Sequence, residues 1–255
     1  MDIQLDTAAE KEAQKAETLP AFGGLNLLHI KRQVSVLLGL IGTDGIFDDY
    51  TKHDISHVDA MLRVLDWLVP DPTKRAMTPA DWVVVVLAVY FHDLGMLVTP
   101  AEFEARARSA FPAFVEGTLY KDSQGKDYRA RVEGLPDDEA QRFLYQEFVR
   151  DNHPTRIREW ILGKAGDALG VTDRAAEEVA RLLSSLRPEV RKDLGTICES
   201  HHLDDLYDLR KYPPSRPYGN TPRGSEPPVC GRPPAGRRLA AHHRGSRPLD
   251  RLPSA

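Results

Sequence analysis

The chain has 255 residues, 41% of them hydrophobic and 28% charged, with a formal net charge of −4, the composition of an ordinary globular protein. Two cysteines, Cys198 and Cys230, are too few for a disulfide framework or a cysteine zinc cluster, and no run reaches the roughly 18 uninterrupted apolar residues of a membrane span. The polar, acidic start "MDIQLDTAAEKEAQKAE" is not a secretory signal, so the expected location is cytoplasmic, with no membrane association and, at this net charge, no reason to invoke nucleic acid.

Residues 1–22 read as a polar, frayed leader. "LNLLHIKRQVSVLLGLIG" (25–42) has helical periodicity and ends at glycine, and "TDGIFDDYTKHD" follows as a loop. Over 54–69, Ile55, Val58, Leu62, Leu65 and Val69 recur three or four apart and make one apolar stripe, which Pro70 ends. Thr78, Pro79 and Asp81 are a strong start signal: an N-cap, a proline at the first helical position and an acid at the positive end of the dipole. The helix they open runs to about Asp93 and is apolar on most sides, so it is expected to be central and buried. Its valines would also suit a strand, but length and the start signal favour helix.

Thr99 and Pro100 start another helix, "AEFEARARSAF". The polar stretch 116–136 reads as a loop or short hairpin. A helix over 137–153 is interrupted by Pro154 and resumes as "TRIREWILGKAG"; helices over 172–186 and 191–209 complete the set. The fold class is therefore all-α, with one domain over 23–212. Beyond it, from Pro213 onward, come ten prolines, eight arginines and only two acids, leaving about −10 on the part before it. That tail is expected to be disordered.

Six histidines fall at helical positions: His53, His57, His92, His153, His201 and His202. His53 and His57 are four apart, so one helix face carries both rings, a spacing used by paired metal ligands. His92 and Asp93 close the most buried helix. Successive helical residues diverge by about 100°, so both reach one site only at a helix end or between elements. Gly95 then reads as a left-handed helix cap. Four helices supply imidazoles and one adds a carboxylate, as in metal sites built inside helix bundles.

The blocks "YTKHDISHVDAMLRVLDWL" and "VVLAVYFHDLGML" resemble the HD superfamily of metal-dependent phosphohydrolases, over roughly 45–210. The histidine order, His53, His57, His92–Asp93, His153 and His201–His202, resembles the HD-GYP-like subgroup, whose sites hold two or more metals. The resemblance implies an HD-like helical bundle and hydrolysis of a nucleotide or other phosphoester. It implies His53, His57, His92, Asp93, His153, His201 and His202 as metal ligands, with Asp93 bridging, and His92 and Asp93 as the catalytic pair. Two divalent transition metals about 3.5–4 Å apart would supply an activated water and neutralise phosphoryl charge. Histidine-rich ligation with some carboxylate favours Mn, Fe, Ni, Co or Zn over Mg or Ca. Lys52 and Arg156 are candidates to hold a substrate phosphate. Met96 stands where many HD-GYP proteins have lysine, and no Gly-Tyr-Pro triplet follows the histidine pair, so cyclic di-GMP specificity is not implied. The chain looks closer to HD modules at the front of larger bacterial proteins, some with an HSP90-like ATPase region behind.

The family's last aspartate would follow His202 on a further helix, where this chain has its Pro/Gly/Arg-rich tail. The tail is expected to be out of frame: for one choice of codons, Arg223–Arg247 read one base later gives an amphipathic helix containing an aspartate. This chain is then expected to fold weakly and to have impaired catalysis. The alternative function is a degenerate HD domain acting as a nucleotide- or partner-binding sensory module.

Overall fold

The computed structural model describes residues 3–41, 54–120, 128–166, 168–170, 174–200 and 207–211. In chain order the helices are α1 (Ala8–Gln14), α2 (Leu27–Leu38), α3 (Ile55–Leu68), α4 (Asp71–Ala76), α5 (Pro79–Phe91), α6 (Pro100–Ala105), α7 (Phe111–Tyr120), α8 (Tyr128–Val132), α9 (Asp137–Leu162), α10 (Arg174–Leu182) and α11 (Pro188–Ser200). No strand occurs among the described residues, so the all-α expectation holds.

The main core is built around α5. Thr78 and Asp81 form a reciprocal capping box: Thr78 Oγ1 accepts from the Asp81 N–H at 3.3 Å and the Thr78 N–H donates to Asp81 Oδ2 at 2.7 Å. Trp82, Val83, Val84, Val86, Leu87, Tyr90 and Phe91 are all buried, because α1, α2, α3 and α11 surround the helix. The window Pro79–Met96 is long and apolar enough to cross a membrane, but other helices pack around it and 61% of it is buried.

The frayed leader expected over residues 1–22 is corrected over its described part. Thr7 and Glu10 make a second capping box, and Ala9, Ala13 and Ala16 lie against α5. The alanines between charged residues looked solvated, yet they form a small-residue face that lets α1 approach closely. Its charges are internal: Glu10 is fully buried and meets Lys31 Nζ at 2.7 Å, and Tyr90 donates to Glu10 at 2.6 Å. Lys31 also lies 2.7 Å from Asp59 on α3 and donates to the Gln4 carbonyl at 2.8 Å. One buried ammonium thus ties α1, α2, α3 and, through Glu10, α5.

A second core cluster holds Met96, Phe111, Tyr128, Leu144, Tyr145 and Phe148, with edge-to-face aromatic contacts such as Phe111–Tyr145 at 5.0 Å. Several boundaries differ from the sequence reading here. The helix expected from Thr99 to Phe111 breaks at Ser109, whose Oγ accepts the Phe111 N–H at 3.1 Å, and Pro112 follows in the first turn of α7. The described part of 116–136, expected as a loop or short hairpin, holds the end of α7 and all of α8. Residues 207–211 form turns, so the last helix does not run to Leu209.

The helix over Asp137–Leu162 passes through Pro154 without interruption. Proline lacks the N–H that the carbonyl four residues back would accept. Here that carbonyl is Arg150's, and His153 Nδ1 lies 2.7 Å from it. The imidazole replaces the missing donor, which is why the helix survives.

Candidate metal centre

Three sequence-predicted ligands converge where α3 begins and α5 ends. Asp54 caps α3, its Oδ1 accepting the Ser56 N–H at 2.9 Å, and this sets His57 in the first turn. His92 is the C-cap of α5, and Asp93 opens the 3-10 turn Leu94–Met96. The helix end lets two adjacent residues face one point, as the adjacent pair required. His92 Nε2 lies 2.9 Å from Asp93 Oδ2, His57 Nε2 lies 3.8 Å from the same oxygen, and the two rings are 6.3 Å apart. One ligand atom from each residue falls within 4.8 Å of the others. Ligands held about 2.0–2.2 Å from one ion lie roughly 3–3.5 Å from each other, so two imidazole nitrogens and a carboxylate oxygen at these separations fit a divalent transition metal.

The electrostatics agree with a cation there. His92 Nδ1 lies 2.9 Å from the Val89 carbonyl and so carries a proton, leaving Nε2 for Asp93 or a metal, the arrangement typical of ligating histidines. Burial pushes the His92 imidazole down, but the Asp93 carboxylate and the Val89 carbonyl hold it above the ordinary histidine value. A proton on Nε2 then occupies the side that a metal would take. Asp93 and His92 side chains are about 15% exposed and His57 is 44% exposed, so the set is buried behind and open in front.

Behind it lies Cys198 of α11. It is buried, with Sγ 3.8 Å from the Ala88 carbonyl oxygen. Burial and the Asp93 charge push its thiol well up, which keeps it protonated and unsuited to ligation.

The remaining sequence candidates divide. His53, His201, His202 and Lys52 lie outside the described residues. His153 is buried on α9, and its Nδ1, like that of His92, faces a backbone carbonyl. It is not one of the three converging groups. Arg156 is a correction: it is 1% exposed and salt-bridged to Glu102 at 2.7 Å, so it is not placed to meet a substrate phosphate. Its Nε donates to the Gly95 carbonyl at 2.7 Å and Nη2 to the Leu97 carbonyl at 2.8 Å.

Gly95 is a second correction. It is not among the positive-φ glycines; a Cβ there would lie 2.2 Å from the His153 carbonyl oxygen. Glycine is required because α9 presses its backbone onto the turn that follows Asp93. Glu102 was missed in the sequence. Its place three residues after Thr99 signals a capping box, and Thr99 Oγ1 does accept the Glu102 N–H at 3.2 Å. The carboxylate, however, turns inward to Arg156 and to the Tyr145 hydroxyl, which donates at 2.7 Å.

A family model described as HD-CE matches residues 47–232. The chain belongs to the HD-CE family. The resemblance to HD domains is borne out, and His57, His92 and Asp93 all fall inside the matched residues. The HD-CE match begins after α2, although α1 and α2 pack directly on its helices, and it reaches into the segment read as tail. Neither curated proteins nor solved structures give a match to this chain.

Proposed function

We propose that this HD-CE chain is a metal-dependent phosphohydrolase acting on a nucleotide or other phosphoester. The observation that carries the reading is the convergence of one ligand atom each from His57, His92 and Asp93 within 4.8 Å, all inside the residues that the family model matches.

His57, His92 and Asp93 would hold the ion, which when bound supplies Lewis acidity for a phosphoryl oxygen and lowers the pKa of water. The protein's own contribution is positional. The Val89 carbonyl holds the His92 Nδ1 proton and aims Nε2 into the site. Asp93 sits between both imidazoles and offers negative charge at the point where cationic charge must collect. The burial of His92 and Asp93 strengthens those interactions, while the exposed flank at His57 leaves an approach for a phosphoester. His153 repeats the His92 arrangement, with Nδ1 committed to a backbone carbonyl. With His53, His201 and His202 it is our candidate for a second ion.

The test is hydrolysis of bis(p-nitrophenyl) phosphate in the presence of Mn(II), Co(II) or Zn(II), beside His92→Ala and Asp93→Ala. Turnover lost in both variants supports the reading. Metal binding without turnover of this or any nucleotide substrate would replace it with a sensory module.

A further inference from the structure

We propose that Arg156 is the positioning residue of the metal centre: it fixes the turn that carries Asp93, and so sets metal affinity without touching the metal. The inference rests on the metal reading above.

Asp93 begins a tight turn, with the Met96 N–H donating to the Asp93 carbonyl at 2.9 Å and the Leu97 N–H to the Leu94 carbonyl at 3.0 Å. The side chain of Arg156 reaches across from α9 and takes the carbonyls of Gly95 and Leu97 on two different nitrogens. The same guanidinium is held by both Glu102 oxygens, at 2.7 and 3.1 Å, and lies 5.2 Å above the Trp160 ring. Three residues earlier on α9, the His153 backbone packs into the space Gly95 leaves. One helical turn of α9 therefore grips the turn at two points, one by shape and one by hydrogen bonds.

Stability alone does not explain this pair. Buried ion pairs can often be replaced by apolar residues of similar volume without loss, because desolvation offsets the attraction. What an apolar replacement lacks is a planar fork able to hold two carbonyls in fixed relation. Those carbonyls belong to the turn whose first residue is the shared carboxylate of the site. A carboxylate displaced by a fraction of an ångström no longer meets both imidazoles on one ion, which is how outer partners tune metal sites.

The experiment titrates Co(II) into the full chain and follows its visible absorption, for wild type, Arg156→Met, Arg156→Lys and Val179→Ala. Val179 is a fully buried residue of α10 with no part in the turn. Expected are a roughly 10–100-fold weaker Co(II) affinity and an altered spectrum in Arg156→Met, with little recovery in Arg156→Lys, since one ammonium cannot replace the fork. Val179→Ala should lower the melting temperature and leave affinity and spectrum unchanged. If Arg156→Met does not fold, Arg156→Lys carries the test. Wild-type affinity and spectrum in a folded Arg156 variant would overturn the inference alone, as would an equal affinity loss in Val179→Ala. Wild type that takes up no Co(II) would overturn the metal reading, and this inference with it.

Discussion

His57 and His92 stand 35 residues apart in the chain, yet their Nε2 atoms flank one oxygen, Asp93 Oδ2, at 3.8 and 2.9 Å. The relationship depends on two ends: the capped start of α3 and the C-cap of α5. It also depends on what holds α3 against α5. Lys31 does this from beneath, with one ammonium between Glu10 and Asp59.

Lys31→Met should therefore be among the most damaging single changes. It leaves the buried Glu10 carboxylate and the partly exposed Asp59 without their cation, a loss of about 3–5 kcal/mol for the broken buried pair. Urea unfolding of the variant beside wild type measures it. A loss under about 1 kcal/mol would show that the network is incidental.

The same network sets an acid limb. Burial would raise the Glu10 carboxyl, but Lys31, the Tyr90 hydroxyl and Thr7 outweigh it and hold its pKa below the ordinary value. A depressed folded pKa contributes stability that is present above the unfolded value, about 4.3, and is lost as pH falls through the folded one. Melting temperatures of wild type and Glu10→Gln should thus differ most above about pH 5 and converge in more acidic buffer. A gap that widens on acidification would reverse the sign assigned here.

Gly95→Ala should destabilise by about 1–3 kcal/mol as an overpacked contact, because the new methyl would meet the His153 carbonyl at 2.2 Å. The damage is steric rather than conformational, so it should be accompanied by weakened metal binding as α9 and the turn separate. Calorimetric unfolding with and without metal reports both effects.

Cys198 should resist thiol reagents in the native state. It is 1% exposed, and burial with the Asp93 charge keeps its thiol protonated. Labelling kinetics by mass spectrometry should follow opening of the α5–α11 contact, and rise sharply in denaturant. Rapid labelling of Cys198 without denaturant would mean that α11 does not cover the site.

The legible part of this fold is local. Thr78-Pro79 with Asp81 announced α5, and the apolar run behind it announced burial, because caps and periodicity act within a few residues. The pair His92–Asp93 at the end of that run, with His57 upstream, named the three groups that the fold brings together. What stayed hidden depends on distant partners. Arg156 reads as a surface cation until Glu102, 54 residues away, is seen to bury it. Glu10 reads as solvated until Tyr90, 80 residues on, donates to it. Gly95 looks like a cap from its place after a helix, but the constraint on it comes from the His153 backbone. Pro154 looks like a break because the donor that repairs the helix is a neighbouring side chain.

The most direct measurement is metal content of the purified chain by elemental mass spectrometry after exposure to Mn(II), Fe(II) and Zn(II), beside folded His57→Ala and Asp93→Ala variants. At least one equivalent in wild type, with affinity lowered more than about 100-fold in both variants because each removes a ligand rather than an outer partner, is the expected result. Wild type that is folded and metal-free, or variants that retain the wild-type equivalent, would contradict a metal centre at His57, His92 and Asp93.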